Sequence, residues 1–185
     1  MENQTVFVLC AAAGLLLLIV ILFNTLVGRK NRVEFAFASI DAMLKKRFDL
    51  IPNLVAAAEK YMSYEKGVLA ELTNCRTKAI SGNLGADGLV ELDNQFGSAL
   101  RTVFAVAENY PQLRASEPFL QLQGSLNEVE EQLSASRRAY NAAVTDFNNG
   151  CEMFPLSLIA RGMGYRQKPW FQIPETERQP VQVWR

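Results

Sequence analysis

Hydrophobic positions follow two different patterns along this chain. From Val6 to Phe23 they run without a charged residue, and Thr25, Leu26 and Val27 carry the run to Gly28. At about 1.5 Å per residue, those twenty-odd positions reach roughly 33 Å, enough to cross the hydrocarbon core of a bilayer. The core helix of a soluble protein seldom spends so many consecutive apolar residues. A cleaved signal peptide carries positive charge ahead of its apolar run and small residues two apart at the cut. Met1-Glu2-Asn3-Gln4 holds no Lys or Arg, and no such small pair lies between Asn24 and Gly28. The pattern predicts a retained transmembrane helix within residues 1–28.

After the span the pattern changes to apolar residues three and four apart, in four successive stretches, each of which reads as a helix. The first runs from about Asn31 to Phe48, with Val33, Phe37, Ile40 and Leu44 on one face, and is free to continue the membrane helix without a break. Pro52 suits a first helical turn better than an interior, so the chain either breaks there or kinks. The second stretch spans about Pro52 to Ile80, through Leu54, Ala58, Tyr61, Val68, Leu72, Cys75 and Ala79. Ser81-Gly82 ends it, and the glycines through Gly88 predict a loop. The third, about Gly88 to Tyr110, carries Leu89, Leu92, Phe96, Ala99, Val103 and Val106 at heptad spacing and closes at Pro111. Ser116 is placed to cap the fourth, with Pro118 in its first turn. Its seam runs from Phe119 through Leu126, Leu133, Tyr140 and Phe147 to Cys151, at a mean spacing of about 3.6 residues and a length of roughly 50 Å.

Each stripe needs the others to hide it from water, and the connections are short. The expected fold is therefore all-α: one N-terminal transmembrane helix, then an antiparallel up-and-down four-helix bundle. An extended coiled-coil trimer is the alternative. Beyond Pro155 one short helix is expected around Leu156, Leu158 and Ile159, followed by an extended tail rich in Pro and Trp. The expected division is a segment 1–28 holding the span, a helical domain 29–164, and a C-terminal tail 165–185.

Charge sets the orientation. Arg29, Lys30 and Arg32 crowd the C-terminal flank of the span, and no basic residue precedes it, so the N-terminus is expected outside and the helical domain in the cytoplasm. All 19 Lys and Arg lie after the span, as do all 19 Asp and Glu except Glu2. The domain is nearly neutral, which argues against a nucleic-acid partner. Cys10 lies in the span; Cys75 and Cys151 stand alone without a CxxC pair, fitting a reducing compartment and a role as small apolar fillers.

Several motifs together resemble a known family. Asp49-Leu50-Ile51-Pro52-Asn53-Leu54-Val55, then Glu108-Asn109-Tyr110-Pro111-Gln112-Leu113, then Arg137-Arg138-Ala139-Tyr140-Asn141 with Val144, Asn148 and Phe154-Pro155, look like the signature of the LemA family in order and spacing. That resemblance implies a bacterial inner-membrane protein with an outward N-terminus, one membrane helix and a cytoplasmic four-helix bundle, with no enzymatic activity to carry over. Genes of the family often neighbour those of membrane proteases or other small anchored domains. The sequence departs from the family pattern at Ser63-Tyr64-Glu65, where relatives often place His before Glu, and at Pro169-Trp170-Phe171, which stands in place of a Tyr-Phe pair.

The search for chemistry is shaped by the absence of histidine from the sequence. That removes the commonest general base near neutral pH, the commonest metal ligand, and the Glu-x-x-His pairs of a di-iron bundle. Neither a GxxxxGK[ST] loop nor a GxGxxG turn occurs. No cofactor, metal or small-molecule substrate is expected, and no catalytic residue. Charges on the apolar seams are more informative: Glu65 falls between Tyr61 and Val68, and Arg47 follows Leu44. A charge facing a helical core needs a partner, because desolvating it alone costs several kcal/mol. Glu65 is expected either to pair with Arg137 or Arg101, fixing helix register, or to snorkel to solvent. Trp170, Phe171 and Trp184 are candidate interface residues, placed to pack on the helices, on another subunit or at lipid headgroups. The expected function is a membrane-anchored scaffold or adaptor that binds the bilayer and either copies of itself or other membrane proteins. A regulator of a membrane protease or signalling protein is the alternative, and a carboxylate or Cys75 thiol enzyme a further one.

Overall fold

The computed structural model describes residues 1–81 and 86–171. Every regular element among them is helical: α1 (Glu2–Asp49), α2 (Ile51–Glu59), α3 (Lys66–Ser81), α4 (Ala86–Ala107), α5 (Pro111–Arg114), α6 (Glu117–Glu152) and α7 (Leu156–Gly162). The expected glycine loop at 82–85, and the tail from 172 onward with Trp184, lie outside the described residues. The chain forms two compact units, one of Met1–Ser39 with Ser136–Trp170, the other of Ile40–Ala135 with Phe171.

In the first unit, the start of α1 is long and apolar enough to cross a membrane. Its large apolar side chains are exposed from Val6 to Phe23 except Leu22, which is half-buried, and the first fully buried one is Leu26. From there Val33 and Ala36 continue a buried stripe facing the later half of α6, where Tyr140, Val144 and Phe147 are buried in turn. The two helices run antiparallel: Gly150 sits against Leu26, where a Cβ would come within 3.2 Å of Leu26 Cδ1. Arg29 donates to the Asp146 carbonyl at 2.8 Å, and the rings of Phe37 and Tyr140 are 6.0 Å apart.

Helix α7 ends in a reversal built on Gly164, whose φ of 68 is open to a residue without Cβ. Tyr165 N–H donates to Ala160 O and Gly164 N–H to Arg161 O, the pair of bonds that closes a Schellman motif. The chain then turns back along α6. Tyr165 packs on Phe147, and buried Asn148 makes two bonds to Lys168, donating to its carbonyl at 3.0 Å and accepting from its N–H at 2.9 Å. Tyr140 OH reaches Pro169 O at 3.3 Å, and Trp170 Nε1 donates to Thr145 Oγ1 at 3.0 Å. Residues 165–170 are thus strapped to α6.

The second unit begins with the last turns of α1. The helical ladder is interrupted at a single residue, Leu50, whose backbone stays helical (φ −78, ψ −17). Leu50 N–H falls back to Arg47 O and Leu54 N–H resumes on Leu50 O, because Pro52 has no N–H to offer Phe48. The outcome lies between the two sequence expectations: a one-residue interruption whose backbone keeps helical angles.

The expected second helix divides in two, α2 stopping at Glu59 and α3 restarting at Lys66. Met62, wholly buried, turns inward between them, and Glu65 N–H bonds to Met62 O. Ser63 and Gly67 are weak helix formers, so burying Met62 outweighs continuity there. Leu69, Leu72 and Cys75 of α3 are buried as it packs against α4. On α4, Leu92, Phe96, Ala99, Leu100 and Val103 are buried. Phe96 meets Phe48 edge-on, ring centroids 5.1 Å apart, as Phe104 meets Phe119 of α6 at 5.8 Å.

Past Pro111 one turn, α5, precedes α6. Ser116, expected to cap α6, instead donates its hydroxyl backward to Leu113 O at 2.7 Å, while its carbonyl starts α6 by accepting from Leu120 N–H.

Candidate functional site

The buried charge of the second unit is Arg47. It lies one turn after Leu44 on α1, and the 3.6-residue repeat that buries Leu44 also carries Arg47 inward, to 6 % exposure. Its guanidinium is held from two other helices. Nη1 donates to Asp93 Oδ1 of α4 at 2.8 Å, and Nη2 forms an ion pair with Glu130 Oε2 of α6 at 3.0 Å without hydrogen-bond geometry. Its carbon lies 4.6 Å from the centroid of the Phe96 ring, a cation over an aromatic face with little water to compete. Asp93 is 4 % exposed, whereas the Glu130 side chain is 45 % exposed. Beside the network, Lys46 reaches Glu128 at 3.9 Å and Gln132 Oε1 at 3.5 Å.

One planar cation therefore ties α1, α4 and α6 together through a fork whose geometry matches carboxylates. Arginine does not lose its proton in proteins. The cluster joins three helices of the second unit through one cation and two carboxylates. Asp93 gave a weak sequence signal, an acid directly after the seam residue Leu92, and only the pairing with Arg47 makes it visible.

Glu65 stands half-buried in the connection ahead of α3 and forms no ion pair among the described residues. Arg101 is on the exposed face of α4 and Arg137 is half-buried on α6. The helix interruption explains the shift: Glu65 lies outside the helical register that predicted it on a core face.

Phe171 is 8 % exposed and belongs to the core, while Trp170 is half exposed with its indole N–H tied to α6. Of the basic flank, Arg29 is spent on the α6 backbone, Lys30 pairs with Glu34 at 3.0 Å, and Arg32 is exposed. The hydrogen bond to Glu34 raises the Lys30 pKa. Burial, with Glu71 adding to it, pushes the Cys75 thiol above its ordinary range, and burial with Glu152 does the same for Cys151. Both thiols are held toward the protonated, less nucleophilic form. An open groove of about 520 Å³ between α2 and α6 is lined by Asn53, Ala57, Gln121 and Ser125 among others, with no ionisable group among its lining residues.

Comparison with known proteins agrees with the resemblance drawn from the motifs. The sequence profile of the LemA family matches residues 36–184. Protein LemA of Metamycoplasma hominis is 28% identical over 158 residues, covering 85% of this chain and 72% of that protein. Magnetosome protein MamQ 2 of Paramagnetospirillum magneticum is 23% identical over 175 residues, 81% of this chain. MamQ of Magnetospirillum gryphiswaldense is 20% identical over 174 residues, 80% of this chain. The matched region spans 64% of the length of each of these magnetosome proteins. With a profile match that starts on the helix face after the apolar run and covers all later helices, the chain belongs to the LemA family.

Proposed function

We propose that this protein is a single-pass anchored scaffold or adaptor of the bacterial inner membrane, N-terminus outside and helical domain in the cytoplasm. It works without catalysis, by self-association or by contact with other envelope proteins. Four arms, α1, α2 with α3, α4 and α6, close into an antiparallel four-helix bundle, each hiding an apolar stripe.

One observation carries this reading. Helix α1 is a single element of 48 residues whose first part is bare apolar surface and whose later part buries one stripe and a charged, hydrogen-bonded arginine. Such a helix suits two solvents in succession, lipid and then a protein core. Lys30 and Arg32 at the change of solvent favour the cytoplasmic side for that end. The relatives carry names of LemA and magnetosome proteins, and those names attribute no reaction to them.

The test is lysine-directed crosslinking in intact membranes followed by mass spectrometry. Peptides joining two copies of the chain, or the chain to another envelope protein, are the expected result. A chain that yields only intramolecular links, and stays monomeric by light scattering after solubilisation, overturns the scaffold.

A further inference from the structure

We infer that the corner between α6 and α7 is a second membrane contact, at which Met153, Phe154 and Leu158 enter the headgroup and upper acyl layer of the bilayer that α1 crosses. This rests on the spanning reading of α1. All the residues involved belong to the first unit.

The corner is apolar and uncovered. Met153 is 63 % exposed, Phe154 79 % and Leu158 60 %, whereas Ala160 on the other side of α7 is buried. Three large apolar side chains within six residues are an unusual thing to show to water.

Their level along α1 identifies what covers them. The antiparallel contact sets Gly150 against Leu26 and Asp146 against Arg29. Helix α6 continues to Glu152, so the next three or four residues advance roughly 5 Å toward the N-terminal end of α1. That brings Met153 and Phe154 to the height of Leu22 and Phe23. There α1 itself changes character: Ile21 and Phe23 are open, Leu22 is half-buried and Leu26 is fully buried. Protein cover on the span ends where the exposed corner begins, and the medium continuous with the bare side of α1 is lipid.

Charge agrees with that placement. Arg161 follows Leu158 by three residues, so both project from one face of α7, and Arg161 is exposed. Arg32 and Lys30 stand on α1 just beyond the boundary. The acid at the corner, Glu152, is engaged by the Gln167 amide. Apolar side chains flanked by Arg and Lys match the boundary of a bilayer containing anionic lipid.

The test uses the full chain in vesicles of phosphatidylcholine and phosphatidylglycerol brominated near the top of the acyl chain. Bromine quenches only tryptophan that lies at its depth, and the contribution of an added tryptophan is read against the parent chain. Three variants are compared: Phe154→Trp at the corner, Phe7→Trp near the outer end of the span, and Phe35→Trp, which is 76 % exposed and about 18 Å along α1 from Phe23. All three positions are exposed, so each variant keeps its fold, checked by far-ultraviolet circular dichroism. Quenching of Phe7→Trp and Phe154→Trp at least about twofold above Phe35→Trp is expected. If Phe7→Trp is quenched while Phe154→Trp behaves like Phe35→Trp, the corner stands clear of lipid and this inference is overturned with the span intact. If Phe7→Trp itself is not quenched, the spanning reading falls and the corner contact falls with it.

Discussion

At the scale of single residues, Arg47 is the side chain on which most depends. Its partner Asp93 is slightly more buried than it is, and a buried ion pair is costly chiefly when half of it is removed. Arg47→Ala is expected to lower stability by about 3–5 kcal/mol. The double variant Arg47→Leu with Asp93→Leu is expected to recover most of that loss, since neither charge is then left in the core. Urea unfolding of the detergent-solubilised chain, followed by circular dichroism, reads both. A loss in the double variant equal to the sum of the losses for Arg47→Leu and Asp93→Leu made singly would show that the two side chains do not act as a pair.

Cys75 makes the complementary point. Its folded pKa lies above the ordinary thiol value of 9.0, so the folded state holds the proton more tightly than the unfolded one. The stability this confers is fully present below about pH 9 and is lost as pH rises through the raised folded value. At neutral pH, Cys75 is expected to react with a thiol reagent at least ~10-fold more slowly in the folded chain than in denaturant. Fast labelling of the folded protein would instead restore the thiol-enzyme alternative.

At the scale of elements, the strap at residues 165–170 is held by few contacts of high value. The Asn148 amide supplies one donor and one acceptor to the Lys168 backbone. Asn148→Ala leaves the Lys168 N–H and C=O without these bonds, at about 1–3 kcal/mol for such groups. Trypsin is expected to cut after Arg166 faster in this variant than in the parent, with little change in helix content; Pro169 protects the bond after Lys168. Unchanged cleavage would mean that Tyr165 on Phe147 and Trp170 on Thr145 hold the strap alone.

The elements also show where a sequence pattern is a poor guide. The seam through Leu54, Ala58, Leu72 and Cys75 predicted buried positions correctly, yet it ran unbroken across a stretch where the chain leaves the helix. Periodicity counts apolar residues and is indifferent to whether the backbone between two helical segments stays helical. Met62, which is not among the seam residues of that pattern, proves wholly buried, and the interruption beside it takes Glu65 out of register.

At the scale of the whole molecule, topology is the quantity to test. With the N-terminus outside, Gln4→Cys in intact cells is expected to react with a membrane-impermeant maleimide. Tyr64→Cys, 93 % exposed in the folded domain, is expected to react only after lysis. The reverse pattern would invert the protein in the membrane and remove the cytoplasmic scaffold.

The all-helical character, the apolar span, most of the buried stripes and the family were determined by the sequence alone, because each follows from local spacing: twenty-odd residues that suit lipid, then side chains repeating every three or four. Which charge is buried, who pairs with it, and how the end of α6 stands against α1 were decided by tertiary structure. Those outcomes depend on residues distant in sequence, Arg47 with Asp93 and Glu130, Gly150 with Leu26, Asn148 with Lys168. A pairing energy exists only once the helices have met, and no periodicity along one helix carries the register of another.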